Sequence, residues 1–468
     1  MQNGKEKNKG KFATNFGFLA ASIGSAVGLG NLWGFPYKMG QNGGFAFLIV
    51  YILLVIAVGF PLVMGEIAIG RKTEKGGIQA YKQIDKRFTF NGWFAVLAPV
   101  FLLCFYSVFG GYIMKYFIAN LGDLLHLSFG IGGADSADYF TNFISAGLDP
   151  LVYTWIFHVL TILIVSLGVS GGIEKFSAFA MPTLTVMLII IVIRACTLPG
   201  ATAGLEYVFK PDFTVFKGTG FLKVLGAAGS QMFFSLSLSS GAIIAFGSYL
   251  NKKTNIEKNA AIITFSDTLI AILAAMAVMP AVFAFNLEPS GGPGLLFVSI
   301  QAVFNDLGKT GPFFGTLFYL LVLFAAFTSS IAMSEGTISA MLDGQIARGK
   351  KPNRVLMSFT VMAITLLGAT LVCVDALGAK GLWHPFGLQT WLDVFDLFAE
   401  GILMPLGGLM LSILLGWVNP KILDDELKIG SNYKTERFFK MSVKYVATPI
   451  LLFITLVQIN TFFGIVKI

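Results

Sequence analysis

Gly24-Ser25-Ala26-Val27-Gly28-Leu29-Gly30-Asn31 lies in the middle of an apolar run that extends from 12 to 37. A second polar stretch, Gln231-Met232-Phe233-Phe234-Ser235-Leu236-Ser237-Leu238-Ser239-Ser240-Gly241, lies in the run from 222 to 249. Each glycine weakens a helix by about 1 kcal/mol, and unwound backbone is tolerated within a membrane only where it lines a cavity. The two stretches therefore predict two broken membrane helices that form a binding site. Close helix packing is the alternative explanation for either stretch alone.

The composition of the chain excludes a soluble globule. Of 468 residues, 55% are hydrophobic and 12% are charged, whereas an ordinary soluble domain carries about 25% charged residues. The net charge is +8, but the basic residues lie in short loops between apolar runs, so no nucleic-acid partner is expected. The three cysteines define neither a disulfide framework nor a metal site.

Apolar runs long enough to cross a bilayer recur along the chain. We expect an all-α polytopic membrane protein of about eleven transmembrane helices, at 12–37, 43–69, 89–119, 151–169, 175–197, 222–249, 259–285, 312–342, 355–378, 392–417 and 441–465. Most lysines and arginines fall in alternate loops, starting with the N-terminal segment. By the positive-inside rule this bias predicts a cytoplasmic N-terminus. The expected location of this multi-pass protein is the plasma membrane.

The two broken spans lie five spans apart, the spacing expected of inverted five-helix repeats. The predicted organisation is a cytoplasmic basic tail (1–11), a first five-helix repeat (12–200), a second five-helix repeat (201–418), a cytoplasmic loop (419–440), and an eleventh helix with an external C-terminus (441–468).

Several motifs resemble those of the neurotransmitter:sodium symporter family, specifically its bacterial amino-acid transporters. They are Ala26-Val27-Gly28-Leu29-Gly30-Asn31, Phe35-Pro36, Asn42-Gly43-Gly44, Gly65-Glu66, Gly70-Arg71, Gly172-Ile173-Glu174-Lys175-Phe176, Met181-Pro182-Thr183-Leu184 and Phe327-Thr328-Ser329-Ser330-Ile331-Ala332. The resemblance implies sodium-coupled symport of an amino acid by alternating access, with two co-transported Na⁺ ions and no organic cofactor. The implied partners are a small amino acid and the lipid bilayer, with no obligatory protein partner.

The resemblance implies two sodium sites built from oxygen ligands, which hard cations prefer. Site 1 would use Ala26, Asn31, Ser235 and Asp267 together with the substrate carboxylate. Site 2 would use carbonyls of Gly24, Val27 and Ala325 and the hydroxyls of Thr328 and Ser329. The alternative for the two hydroxyls is a hydrogen bond to their own helix, the usual arrangement in membrane helices.

The resemblance also implies a substrate site. Its expected residues are Ser25, Ala26, Gly30, Leu102, Tyr106, Phe234, Ser235, Ser237, Ser240, Ser329 and Met333. Tyr106 would bind the substrate carboxylate and, with Phe234, close an aromatic lid. The small Ser240 indicates room for a large aliphatic or aromatic amino acid, and Gly28 disfavours monoamines because it offers no acid. Glu66 is expected to accept hydrogen bonds from unwound amides.

Two departures from the family pattern concern the gates. Gly34 stands where an outer-gate arginine is usual, although its aspartate partner is present as Asp396, and Lys38 is the expected replacement. At the inner gate, Lys9 and Asp343 occupy the usual ion-pair positions, with Phe12 in place of a tryptophan.

Three other functions remain as alternatives. A channel lacks the continuous polar lining it would need, and a membrane enzyme would need a catalytic cluster, which the scattered His126, His158 and His384 do not form. A proton-coupled carrier or nutrient-sensing transceptor on the same fold is the more serious alternative, because Asp267 could carry a proton.

Overall fold

The computed structural model describes residues 10–287, 294–430 and 432–464, and within these ranges every regular element is a helix. The main helices are α1 (Asn15–Ala26), α2 (Gly30–Gln41), α3 (Phe45–Thr73), α4 (Lys86–Leu124), α5 (Leu148–Ser166), α6 (Val169–Cys196), α7 (Gly220–Ser235), α8 (Ala242–Ser248), α9 (Ile256–Ala284), α10 (Gly308–Ala347), α11 (Arg354–Asp375), α12 (Trp391–Val418) and α13 (Glu436–Phe463). Shorter connecting helices include Gly77–Ile84, Ser136–Ser145, Ala201–Phe209, Leu295–Asp306 and Asp424–Lys428.

The number of membrane crossings depends on how the broken helices are counted. In the described ranges nine helices are long and apolar enough to cross a bilayer, and α1 with α2, which meet at a bend of 45°, make a tenth. The predicted sixth span corresponds to α7 and α8, of 16 and 7 residues. Neither is long enough alone. The protein is thus all-α and polytopic, and the count of eleven stays a prediction.

Burial places α4 and α10 at the centre of the bundle and α11 and α13 at its edge. Within their most apolar segments, 78% of the residues of α4 and α10 are buried, against 28% for α11 and α13. A helix that is apolar all round suits either a protein core or a lipid surface, so composition alone could not separate these two groups. The last helix, predicted as an addition to the two repeats, lies at the edge.

The first broken helix separates α1 from α2. Val27 leaves the helical region with φ −79° and ψ 96°, which ends α1, and α2 begins at Gly30. The break lies inside the glycine-rich stretch quoted first. Its position confirms the expectation that this segment is unwound.

The second broken helix separates α7 from α8. Ser237 and Ser239 have positive φ values of 51° and 60°, a conformation that residues other than glycine adopt only with support from their surroundings. Part of that support is the Ser237 hydroxyl, which donates to the Ser25 carbonyl at 2.7 Å. The two unwound segments therefore contact each other inside the bundle.

Candidate functional site

A small cavity of about 20 Å³ lies where the two unwound segments meet. It is lined by Ser25, Ala26, Gly28, Gly30, Leu102, Tyr106, Phe234, Ser237, Ser240, Ser329, Met333 and Met404. The structure thus brings together all the predicted substrate-site residues except Ser235, which faces Asp267 instead. Met404 of α12 was missed, because nothing in the local sequence distinguishes it from other apolar residues of that helix. The binding roles of these residues stay predictions.

Tyr106 connects α4 to the first unwound segment. Its hydroxyl, buried at the cavity wall, accepts a hydrogen bond from the Leu29 amide at 3.1 Å. A Cβ atom on Gly28 would lie 2.7 Å from the same hydroxyl and would clash with Ser329. A side chain at Gly28 would therefore fill the space between Tyr106 and Ser329, and only glycine leaves this space open. An anion beside Tyr106 would also lie near the start of α2, where helix amides favour negative charge.

Phe234 closes one side of the cavity. A Cβ atom on Gly30 would lie 2.9 Å from the Phe234 ring, so the ring packs directly on the start of α2. Phe234 is only partly buried, whereas Tyr106 and Ser25 are each 2% exposed. The partly exposed ring is thus the residue through which the cavity could open.

The predicted site 1 is organised around the fully buried carboxylate of Asp267. Asn31 Nδ2 donates to Asp267 Oδ1 at 2.7 Å, and Ser235 Oγ donates at 2.9 Å and 3.0 Å to its two oxygens. Tyr51 Oη of α3 donates to Oδ2 at 3.1 Å. Sequence reasoning missed Tyr51, although a hydroxyl within an otherwise apolar run was a signal that could have found it. Asn31 Oδ1 accepts from the Gly28 amide at 3.2 Å and thus faces the unwound segment.

The predicted site 2 lies between α10 and the end of α1. Ser329 Oγ lies 3.2 Å from the Gly24 carbonyl and 3.5 Å from the Val27 carbonyl. Thr328 Oγ1 donates to the Ala325 carbonyl of its own helix at 3.0 Å. Such a hydrogen bond within the helix was the alternative to sodium binding for the Thr328 and Ser329 hydroxyls. Ser329 thus contacts two of the predicted carbonyls and Thr328 the third, and the arrangement of all five residues around one ion stays a prediction.

Glu66 supports the second unwound segment. Its carboxylate is fully buried and accepts from the Ser239 amide at 2.8 Å. Glu66 does not line the cavity. This geometry agrees with the expected structural role of the residue.

At one end of the bundle, called here the Asp396 end, the predicted pair of Lys38 with Asp396 is not formed as a direct contact. Lys38 Nζ instead donates to Ser230 Oγ of α7 at 3.0 Å. The carboxylates of Asp396 and Glu400 both lie close enough to Lys38 for their charges to act on it. A lysine ammonium on its flexible stem does not form the bidentate hydrogen bonds to a carboxylate that an arginine forms. Sequence reasoning missed Glu400, which lies one turn beyond Asp396.

At the other end, called here the Glu335 end, Lys9 of the predicted inner gate lies outside the described residues. Asp343 accepts a hydrogen bond from the Gly76 amide at 2.8 Å. Phe12 packs against Phe18 and Phe246, with ring centroids 5.6 Å and 5.7 Å away.

Sequence reasoning missed a buried ion pair at the Glu335 end. Arg354 of α11 makes two hydrogen bonds to the fully buried Glu335 of α10, at 2.6 Å and 2.9 Å. Tyr249, directly after α8, donates to the same carboxylate at 2.6 Å. Three helices are joined here by one carboxylate. A paired arginine and glutamate separated along the chain leave no local pattern, so only the fold reveals them.

Comparison with known proteins gives consistent results. A family model described as the sodium:neurotransmitter symporter family matches residues 9–128 and 149–466. The uncharacterized sodium-dependent transporter YhdH of Bacillus subtilis is 35% identical over 435 residues, 91% of this chain and 92% of that protein. The sodium- and chloride-dependent taurine transporter of Bos taurus is 25% identical, over 85% of this chain and 72% of that protein. The crystal structure of MhsT in complex with L-phenylalanine matches with a TM-score of 0.85 at 31% identity, covering 97% of this chain and 100% of that chain.

Proposed function

The chain belongs to the sodium:neurotransmitter symporter family, and on this premise we propose that it carries an amino acid across the plasma membrane together with sodium, by alternating access. One observation carries the proposal. The Ser329 hydroxyl lies within 3.5 Å of the Gly24, Ser25 and Val27 carbonyls and also lines the cavity. A hard cation held by these oxygens would be adjacent to a solute in the cavity. Binding of one would therefore favour binding of the other.

Two sodium ions are proposed as co-substrates. The first would lie among Asn31, Ser235 and the Ala26 carbonyl, with Asp267 supplying negative charge and the substrate carboxylate completing the site. The second would lie among the Gly24, Val27 and Ala325 carbonyls and the Thr328 and Ser329 hydroxyls. No organic cofactor takes part in this scheme.

The proposed substrate is an L-amino acid with a large apolar or aromatic side chain. Its carboxylate would lie near Tyr106 and the start of α2, and its side chain would extend toward Ser237, Ser240 and Met333. The structurally similar MhsT forms a complex with L-phenylalanine, which supports this class. Met404 adds a flexible side chain that can adapt to ligands of different shape.

The decisive experiment measures uptake of labelled L-phenylalanine by the full-length protein in lipid vesicles. An inward sodium gradient should drive accumulation, and choline or potassium in place of sodium on both sides should abolish it. Thr328→Val with Ser329→Ala should raise the sodium concentration needed for substrate binding. Equal accumulation without sodium would overturn the proposal, and an unchanged sodium titration in the double variant would exclude the second site.

A proton-coupled carrier is the second candidate, because Asp267 is a fully buried titratable group beside the first site. An imposed pH gradient without sodium separates the two mechanisms. Uptake that follows the pH gradient alone would favour the proton-coupled carrier.

The cytoplasmic position of the N-terminus is also a proposal. Labelling of single cysteines, introduced at Lys11 and at Lys309, would test this orientation in intact cells.

Specificity can be tested at Ser240. Its hydroxyl donates to the Ser237 carbonyl at 2.7 Å while the side chain lines the cavity. Ser240→Leu enlarges the side chain that faces the proposed pocket and should raise the KM for L-phenylalanine more than about tenfold while leaving L-alanine uptake within about threefold. An equal effect on both substrates would contradict this placement of the side chain.

A further inference from the structure

A pocket outside the candidate site lies at the Glu335 end, between the start of α1 and the loop that connects α8 to α9. Its volume is about 510 Å³, within the range of sites that hold small ligands. None of the residues proposed for substrate or sodium binding lines it. We call it the α1–α9 pocket.

The charge of the α1–α9 pocket is of one sign. Lys253 and Lys258 are the charged residues among the described residues that line it, and within the described ranges neither forms an ion pair with a carboxylate. Glu257, between them along the chain, is bound instead to the amides of Lys434 and Thr435, at 3.2 Å and 2.7 Å. The pocket also lies at the N-terminal end of α9, where helix amides favour negative charge. It therefore suits an anion.

Hydrogen bonds hold the walls of the pocket in place. The fully buried Arg71 of α3 donates to the Lys252 carbonyl at 3.3 Å and also to the Thr254 carbonyl, so the backbone is held on both sides of the first lysine. On the opposite wall Asn259 of α9, which is 2% exposed, donates to Asn15 Oδ1 of α1 at 2.8 Å. The two lysines thus extend from a fixed frame that joins three helices.

The pocket lies at the boundary between water and lipid. Leu19 of α1 and Ile262 of α9 form part of its lining. One turn away on the same helices, Phe16 and Phe265 are 59% and 68% exposed, and exposed apolar side chains of a membrane protein contact acyl chains. One part of the pocket is therefore basic and polar, and another part is continuous with the apolar surface that faces the bilayer.

We propose that the α1–α9 pocket binds the headgroup of an anionic phospholipid from the leaflet at the Glu335 end. The phosphate lies between the two lysine ammonium groups, each of which offers three donors. The acyl chains remain in the bilayer along the apolar surfaces of α1 and α9, so the pocket holds only the headgroup. Anionic lipids attract basic residues at this depth.

Two other occupants fit the pocket less well. The N-terminal segment before Gly10 carries three lysines and one glutamate, so its charge has the same sign as that of the pocket. A soluble phosphate has the right charge, but it makes no use of the apolar part of the lining.

The test uses native mass spectrometry of the full-length protein. The probes are dioleoyl phosphatidylglycerol, dioleoyl phosphatidylcholine and the soluble sn-glycerol 3-phosphate. The wild type should bind one phosphatidylglycerol about tenfold more tightly than phosphatidylcholine, because each lysine beside an anionic lipid adds to the attraction. Lys253→Gln with Lys258→Gln should remove this preference. Both lysines are exposed, so the variant should fold, and its midpoint of thermal unfolding checks this.

The matched control is Lys350→Gln with Lys351→Gln, which removes two exposed lysines at the same end that do not line the pocket. This variant has the same net charge as the first and should retain the preference. Equal binding of the two phospholipids by the wild type, an unchanged preference in the pocket variant, or an equal loss in the control would overturn the proposal. Binding of sn-glycerol 3-phosphate as tight as that of phosphatidylglycerol would overturn the choice of a membrane lipid. No arm measures transport, so the outcome is independent of the proposed function.

Discussion

At the scale of single residues, Asp267 is the buried charge on which the ion balance depends. It is fully buried and accepts hydrogen bonds from Asn31, Ser235 and Tyr51. Two sodium ions a few ångströms apart repel each other by several kcal/mol even at an effective dielectric constant of about 20. An amino acid is a zwitterion and adds no net charge. The fixed carboxylate of Asp267 would therefore supply the negative charge that a bound chloride could otherwise provide.

We therefore predict that transport does not require chloride. Asp267→Asn should either abolish transport or make it respond to added chloride, and Asp306→Asn, at an exposed aspartate, serves as the control. Uptake measured with gluconate in place of chloride tests both statements. A large loss of wild-type uptake would refute the compensation argument. An unaffected Asp267→Asn variant would instead indicate that the neighbouring Ser266 is the sodium ligand, although Asp267 is fully buried and Ser266 only partly so.

Ser329 provides a second prediction at this scale. Ser329→Ala should raise the sodium concentration for half-maximal transport about fivefold, because losing one ligand or hydrogen bond of this kind costs about 1 kcal/mol. Ser330→Ala removes the same atom from the next residue, which is also buried but does not line the cavity. A sodium titration of the two variants is the measurement. Equal shifts would mean that the effect comes from helix packing.

At the scale of the elements, the sequence located the broken helices but not the contacts between helices. Both unwound segments lie within the stretches chosen for their glycines and serines, because the cost of such residues in a membrane helix is local. Tyr51, Met404 and the Glu335–Arg354 pair were missed, because each acts across helices that are distant along the chain. The expected Lys38–Asp396 contact was also not formed, since residue type alone does not specify which oxygen a flexible lysine reaches.

The Asp396 end gives the prediction for the helix pair α2 and α12. Gly34→Arg would offer Asp396 a bidentate partner and should slow substrate exchange, with the closed state stabilised by about 1 to 3 kcal/mol. A Cβ atom on Gly34 would lie 3.2 Å from Gln231 Oε1, so the Gln231 side chain must shift. Gly34→Ala, which requires the same shift without the charge, is the matched control. Exchange of labelled substrate is measured, and equal rates in the two variants would contradict the prediction.

Lys38→Ala tests the residue present in the wild type. Removal of its hydrogen bond to Ser230 weakens the contact between α2 and α7, so exchange should become faster or substrate binding weaker. Lys223→Ala, an exposed lysine near the start of α7, is the control. If neither Lys38→Ala nor Gly34→Arg has an effect, closure at this end would depend on Phe234 and Tyr106 alone.

At the scale of the whole molecule, alternating access requires that the two ends do not open together. The structure closes the ends with different chemistry. The Glu335 end has a bidentate ion pair between the fully buried Glu335 and the partly buried Arg354. Glu174 at this end accepts hydrogen bonds from the Ala13 and Thr14 amides at 2.8 Å and 3.1 Å. At the Asp396 end the described residues show a partly exposed Phe234 ring and a hydrogen bond from Lys38 to Ser230, without a direct ion pair between Lys38 and Asp396. The Glu335 end is therefore expected to be the more strongly closed of the two.

Removing one partner of the buried ion pair should reverse this preference. Arg354→Gln leaves the Glu335 charge without its cation, which costs roughly 3 to 5 kcal/mol in the closed state and less once water reaches the carboxylate. The Glu335 end should then open. The measurement is the rate at which a cysteine introduced at Ser25 is alkylated by a reagent added from the Glu335 side. The three native cysteines, Cys104, Cys196 and Cys373, are replaced beforehand.

The alkylation rate should rise at least tenfold in Arg354→Gln and remain unchanged in Arg348→Gln, an exposed arginine at the same end. Adding Glu335→Gln to Arg354→Gln should restore most of the protection, because the buried charge is gone while the shape is kept. Faster alkylation that the second substitution does not reverse would mean that the arginine acts by packing, and an unchanged rate in Arg354→Gln would show that this pair does not hold the end closed.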